Sequence, residues 1–350
     1  MMQALLTTAI DLTERGVIPD RVVRLGIQQM CRQRLREEQR AYGADLPGRR
    51  AALRRDMDAS PIALMPATAN DQHYEAPVEL FQRALGPRLK YSCGFWPNGV
   101  TTLAEAEDAA LRETADHALL ADGQQVLELG CGWGSLTLWM AERYPSSRIL
   151  AVSNSHRQRA FILERAESLG LSNVEVVTAD MNDFSTDRRF DRVVSVEIFE
   201  HMRNYRALLH RIAVWMRPDA TLFIHFFCHR SLAYPYATEG PGDWMGRHFF
   251  TGGLMPSESL LLDFDADVHV VRQWRWDGTH YQKTANAWLA NLDAPRGDLM
   301  DVFVRHYGSA DAERWFHRWR LFFMACAELW AYRQGQEWCV AHYRLERVAM

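Results

Sequence analysis

The stretch VLELGCGWG, residues 126–134, decides the fold. Val126, Leu127 and Leu129 make an apolar run around Glu128, and Gly130, Gly132 and Gly134 follow at alternate positions. A strand that runs into glycines and then into a helix can turn tightly and bring backbone N–H groups close to a ligand at the helix N-terminus. The E-x-G-x-G-x-G spacing differs from the dinucleotide pattern G-x-G-x-x-G and suits a nucleoside without a pyrophosphate. Glu128 can meet the amino-acid part of such a ligand through water or backbone groups. Taken alone, the glycines could also serve only a tight turn between strand and helix.

Outward from this point the chain alternates short β-branched runs with helical segments, the pattern of βαβ units and a doubly wound parallel sheet. Strands are expected at QQVLELG (124–130), RILAVS (148–153), VEVVTAD (174–180), FDRVVSVE (190–197) and TLFIHFFC (221–228), with helices starting near Gly134, Ser155 and Asn204. Two more strands are expected at VHVVRQWRW (268–276) and WCVAHYRLERV (338–348). Open α/β sheets bind ligands at the carboxyl ends of their strands. The second strand ends in Ser153-Asn154-Ser155 with Gln158 one turn on, polar groups that can hydrogen-bond ribose hydroxyls. The third ends in Asp180 and Met181, a carboxylate for an adenine amino group and a thioether for its ring plane. After the fourth comes VEIFEHMRNY (196–205), which carries Glu197, Glu200 and His201 within five positions. Two carboxylates and an imidazole suit proton acceptance. They could equally cap the next helix and pack.

The rest of the chain bounds these readings. At 350 residues it can bury a full core without staples. Six cysteines lie scattered with no CxxC pair and no Cys/His ligand spacing, so neither a disulfide framework nor a metal site is expected. The N-terminus has no basic start before a long apolar run, and no stretch reaches the roughly 20 apolar residues of a membrane span, so a cytoplasmic protein is expected. The formal charge is −4, and all basic residues but Lys90 and Lys283 are Arg. The densest basic run, Arg21 to Arg55, is interleaved with Glu37, Glu38, Asp45 and Asp56. That reads as a solvated helical face; no nucleic-acid partner is expected, and a peripheral membrane contact is compatible with it. Residues 1–90 read as helical, with breaks near Pro19, Gly43 and Pro47.

Four motifs together, YSCGFW (91–96), LELGCGWG, SNS with Gln158, and VEIFEHMRNY, make the chain resemble the cyclopropane-fatty-acid synthase superfamily, in its coclaurine N-methyltransferase-like branch. The resemblance spans nearly the whole chain, including LSNVEVVTAD, WDGTHYQKTANAWLANLDA and GQEWCVAH. It implies an S-adenosylmethionine-dependent methyltransferase with a Rossmann-like class I fold: a seven-stranded, mostly parallel sheet within about residues 120–350. It further implies a helical region, residues 1–90, covering the active site, and a methyltransferase domain, residues 91–350, with an acceptor cap near 230–260. Tyr91 and Ser92 would touch the donor, and Glu197, Glu200 and His201 match the acid/base residues of the N-methyltransferases. A homodimer is compatible with the family.

The resemblance also divides the choice of acceptor. The lipid-modifying synthases hold bicarbonate as a general base through a Cys, a Glu, a His and a Tyr, and Cys93, Glu200, His225 and Tyr281 stand at the matching positions. In one reading a neutral amine on a small, partly aromatic molecule attacks the methyl group, and Glu200 or His201 removes its proton. In the other a lipid alkene attacks, bound bicarbonate deprotonates the carbocation, and Phe95, Trp96, Phe227, Phe249 and Phe250 could stabilise it, though they would equally line a pocket for an aromatic amine. The full-length match favours the amine.

Overall fold

The computed structural model describes residues 2–43, 45–65, 76–294 and 296–348. The chain opens with helices α1 (Met2–Glu14), α2 (Asp20–Tyr42) and α3 (Leu46–Ala59), then α4 (Val78–Ala84) and α5 (Leu103–Ala118). The helical run breaks between Tyr42 and Leu46, and Pro47 lies just past that break. It occupies the first turn of α3, where a missing N–H leaves no bond unmade, and Asp45 caps that turn by accepting from Gly48 N.

The βα units follow: β1 (Gln125–Leu129), α6 (Ser135–Arg143), β2 (Arg148–Ser153), α7 (His156–Ser168), β3 (Val174–Thr178), β4 (Phe190–Val196), α8 (Tyr205–Trp215) and β5 (Met216–His229). A small ribbon, β6 (Tyr234–Pro235) with β7 (Leu254–Met255), encloses α9 (Trp244–His248). The chain closes with β8 (Val268–Asp277), α10 (Gly278–Asp293), α11 (Arg296–Tyr307), α12 (Ala312–Ala331) and β9 (Trp338–Arg347). The sheet has seven strands in the order β3-β2-β1-β4-β5-β9-β8. β1 to β5 are parallel, and β9 runs antiparallel between β5 and β8. All seven expected strands are present. β5 starts five residues earlier than Thr221, because Met216 pairs with Phe190 across an irregularity in the register.

Strands β1 and β2 and the second half of β5 are buried on both faces, which is why they read as apolar runs rather than alternating ones. Strand order reverses between β1 and β4, so their carboxyl ends open the crevice where such sheets bind ligands. The helices before the sheet pack on those after it. Arg24 reaches Glu328 at 2.7 Å, and Arg320 pairs with both Asp20 and Asp293. In the basic run, Arg34 meets Asp243 at 2.9 Å and Arg50 meets Asp263 at 2.6 Å, so part of its charge is neutralised within the fold. No helix among the described residues is long and apolar enough to cross a membrane.

Candidate active site

The nucleotide loop turns on left-handed backbone. Gly130 has φ +82°, and a Cβ there would stand 1.9 Å from the Ile198 side chain. Gly132 has φ +51° with nothing within 4 Å of where its Cβ would be, so its backbone faces open space. Gly134 is the N-cap of α6. Gly130 and Gly132 border a cleft. Ser153, Asn154, Gln158, Asp180 and Met181 line it too, so three strand ends converge as expected.

Its polar groups are set for a nucleoside. Ser153 Oγ donates to Gln158 Oε1 at 2.7 Å, which aims the carboxamide. Gln158 Nε2 is then a buried donor with no partner among the described residues, a state a buried group leaves when a ligand binds it. Asp180 Oδ1 accepts from Asn182 N at 2.8 Å in a local turn. Glu128 lies buried beneath the loop; the Thr137 hydroxyl donates to it, and burial pushes its pKa up to about 8. A ligand ammonium group would restore its charge. The residues present therefore fit the donor the sequence implies. Over the cleft, the Asn182 carboxamide holds both the N–H and the C=O of Ala63 at 3.0 Å, and Ala63 and Met65 join the lining.

On the other side of β4 lies a closed group. Glu197 sits just past the strand with φ +52°, a conformation that costs a non-glycine residue about 1–3 kcal/mol and persists only where its surroundings hold it. Three elements do so. Glu197 Oε1 accepts from Cys93 N at 3.0 Å and lies 3.2 Å from His225 Nε2, and Oε2 accepts from Tyr281 OH at 2.7 Å. Burial raises the Glu197 pKa, while Lys90, the Cys93 N–H and Tyr281 pull it back. Lys90 is itself buried, donating to Ser92 Oγ and, at 2.9 Å, to Cys93 O.

Glu200 is separate from this group. It is fully buried, and its Oε1 accepts from Phe227 N at 2.6 Å. Its Oε2 has no partner among the described residues. Burial, with the nearby charge of Glu197, raises its pKa well above the usual carboxyl range. His201 lines the donor cleft and stacks on Phe250 at 4.6 Å. Phe250 begins an aromatic cluster with Tyr236 and Phe227, continued by Trp330 and Tyr281, which stack at 4.9 Å.

Other expected aromatics lie elsewhere. Phe249 stacks on Phe322 in the helical core, Phe95 stacks on Trp276, and Trp96 bonds to Thr284 and His280. Ser92 serves Lys90, and Tyr91 packs between Phe81 and Trp288. Lys90, Asn182, Tyr236, Trp330 and His342 escaped the sequence reading. His342 alone carried a signal, because it stands within the apolar run of an expected strand, WCVAHYRLERV.

A doubly wound sheet with a cleft at its switch point fit for a nucleoside, beside a buried carboxylate, points to an S-adenosylmethionine-dependent methyltransferase. Comparison with known proteins narrows the class. The chain belongs to the mycolic acid cyclopropane synthetase family, whose sequence model matches residues 65–340. It is 36% identical to (S)-coclaurine N-methyltransferase of Thalictrum flavum subsp. glaucum over 97% of this chain and 95% of that protein. A crystal structure of coclaurine N-methyltransferase bound to N-methylheliamine and SAH superposes with TM-score 0.91 at 34% identity, covering 97% of this chain and 99% of that one. The cyclopropane-fatty-acyl-phospholipid synthase of Escherichia coli K12 is 28% identical over 78% of this chain and 67% of that protein. The expected fold class, enzyme class and methyl donor are thereby borne out.

Proposed function

We propose that the protein methylates the nitrogen of a small, partly aromatic amine, with Glu197 as proton acceptor. The observation that carries this reading is the occupancy of the anion cradle. The Cys93 N–H, His225 and Tyr281, three of the positions that resemble the bicarbonate ligands of the lipid synthases, all converge on the carboxylate of Glu197. A built-in carboxylate there replaces a bound ion, and the base shifts from Glu200 or His201 to Glu197. The similarity to N-methyltransferases along the full chain points the same way.

When bound, S-adenosylmethionine supplies an electrophilic sulfonium methyl group. Gly130, Gly132, Gln158 and Asp180 would hold the nucleoside, and Glu128 would meet its ammonium end. Phe227, Tyr236, Phe250 and Trp330 hold the acceptor's ring and exclude water, so positioning supplies much of the rate. Glu200 hydrogen-bonds to the acceptor through Oε2, the oxygen that has no partner among the described residues. Glu197 takes the proton of the attacking amine; burial, by raising its pKa, makes it a stronger base than an exposed carboxylate. Residues 1–90 cover the donor through Ala63 and Met65, and the 230–260 segment caps the cleft through Thr251 and Gly252.

The test is transfer of labelled methyl to (S)-coclaurine and to an unsaturated phospholipid extract, each with and without added bicarbonate. The amine should be labelled, with no stimulation by bicarbonate. Bicarbonate-dependent labelling of the lipid alone overturns the reading.

A further inference from the structure

Behind Glu197 stands a row of imidazoles that the reaction above does not use. His225 faces Glu197 through Nε2 at 3.2 Å and faces His342 Nε2 through Nδ1 at 2.9 Å. The other nitrogen of His342, Nδ1, lies 2.9 Å from His117 Nδ1, and His117 Nε2 lies 3.3 Å from Glu113 Oε2. Each of the three rings is entered at one nitrogen and left at the other. Packing alone asks only that a buried imidazole find a partner; a proton path asks for this unbroken order.

The path also runs from inside to outside. The side chains of Glu197 and His225 are 10% and 0% exposed, while those of His117 and Glu113, on α5, reach 12% and 37%. The β5–β9 register sets His225 directly opposite His342. Trp274 stacks on His117 at 3.8 Å and Trp276 packs on His342 at 4.3 Å, walling the row from water. Burial keeps the rings neutral, lowering the pKa of His225 and His342 and bringing that of His117 to about 4. The charged groups around them are Lys90 by His225, and Arg272, Arg344 and Asp116 by His117.

We propose that His225, His342, His117 and Glu113 relay the proton released by methyl transfer from Glu197 to the surface. This rests on Glu197 being the base. As the N–C bond forms and the C–S bond breaks, the amine proton passes to Glu197. It then moves onto His225 Nε2, a proton leaves His225 Nδ1 for His342 Nε2, another leaves His342 Nδ1 for His117 Nδ1, and the last leaves His117 Nε2 for Glu113 and solvent. No net charge stays inside, each ring has exchanged tautomers, and their return completes the cycle. The outlet lies away from the cleft, so the base can discharge while the acceptor still fills the site.

The experiment uses the full chain with S-adenosylmethionine and (S)-coclaurine. His117→Ala, at the outer end, should lower kcat on the order of tenfold, less than loss of the base itself, with KM unchanged. Its solvent deuterium isotope effect on kcat should rise, and imidazole buffer should restore turnover in proportion to its basic form at fixed pH. His342→Gln should show the same isotope effect without rescue. Unchanged kcat, or a loss with neither isotope effect nor rescue, overturns the relay. A second measurement needs no acceptor: ¹⁵N imidazole spectra of the wild type and of Glu197→Gln. A relay predicts an altered tautomer at His117, and an unaltered one overturns it. Should wild-type protein leave (S)-coclaurine unmethylated, the amine reading fails, and the spectra alone decide the relay.

Discussion

The donor cleft and the carboxylate group lie on either side of the end of β4 and are built on opposite principles. The cleft is made by backbone: glycines at positive φ, strand ends, and polar side chains such as Gln158 left with unused donors. The carboxylate group is made by side chains brought from Cys93, Glu197, His225 and Tyr281, and every oxygen of Glu197 is already engaged. One site waits for a ligand to satisfy it; the other is satisfied in advance and so can hold a charge and a strained backbone in place. Binding and proton transfer should therefore fail separately when mutated.

The largest expected effect is on the satisfied side. Glu197→Ala should lower turnover about 10²–10⁴-fold, the usual worth of a general base, while calorimetry shows unchanged donor affinity. Parallel loss of donor affinity would dissolve the distinction between the two sites. Next comes the backbone side. Gly132→Val places a β-branched residue at φ +51° and should weaken donor binding about 10–100-fold with the fold intact, read by calorimetry and circular dichroism. Tyr281→Phe removes the hydroxyl that lowers the Glu197 pKa. Its basic-limb kcat should fall only modestly, about tenfold for one hydrogen bond to a charge, and the acidic limb of the pH–rate profile should move upward. A profile that stays in place would mean that the hydroxyl does not tune the base.

The smallest effect concerns Glu128. Its carboxyl has a pKa of about 8 in the fold against 4.5 for a free glutamate, so the folded state binds the proton more tightly. This contribution to stability is present below pH 4.5 and is lost as pH rises towards 8. The Tm of the donor-free protein should therefore drift down over that window, and Glu128→Gln should flatten the drift. An identical drift in the variant would assign it to another group.

The two sites also differed in how far the sequence revealed them. The donor cleft is local: Glu128 to Gly134, Ser153 to Gln158, and Asp180 with Met181 each lie within a few residues of a strand end, so pattern and topology place them together. The carboxylate group spans residues 93 to 281, and the fold alone brings them into contact. Glu197, Glu200 and His201 looked like one unit because they are neighbours in sequence. The left-handed turn at Glu197 sends its carboxylate to Tyr281, Glu200 turns to Phe227 N, and His201 faces the donor cleft. Dihedral angles at a strand end are not written in residue spacing. Nor was the clasp of Asn182 on Ala63, which joins two regions of unremarkable composition.

The Arg pairs between the first helices and α12 bear on how the chain is born. Asp20 and Arg320 stand 300 positions apart, as do Glu14 and Arg314. Ordering such distant partners carries a loop-closure cost, and their contacts cannot form until α12 exists. During synthesis α1 and α2 must therefore wait, with apolar residues such as Val23, Cys31 and Leu35 uncovered, while the sheet assembles behind them. A part made early is among the last to settle, and removing α1 and α2 would uncover the apolar surface of α12 in the finished enzyme.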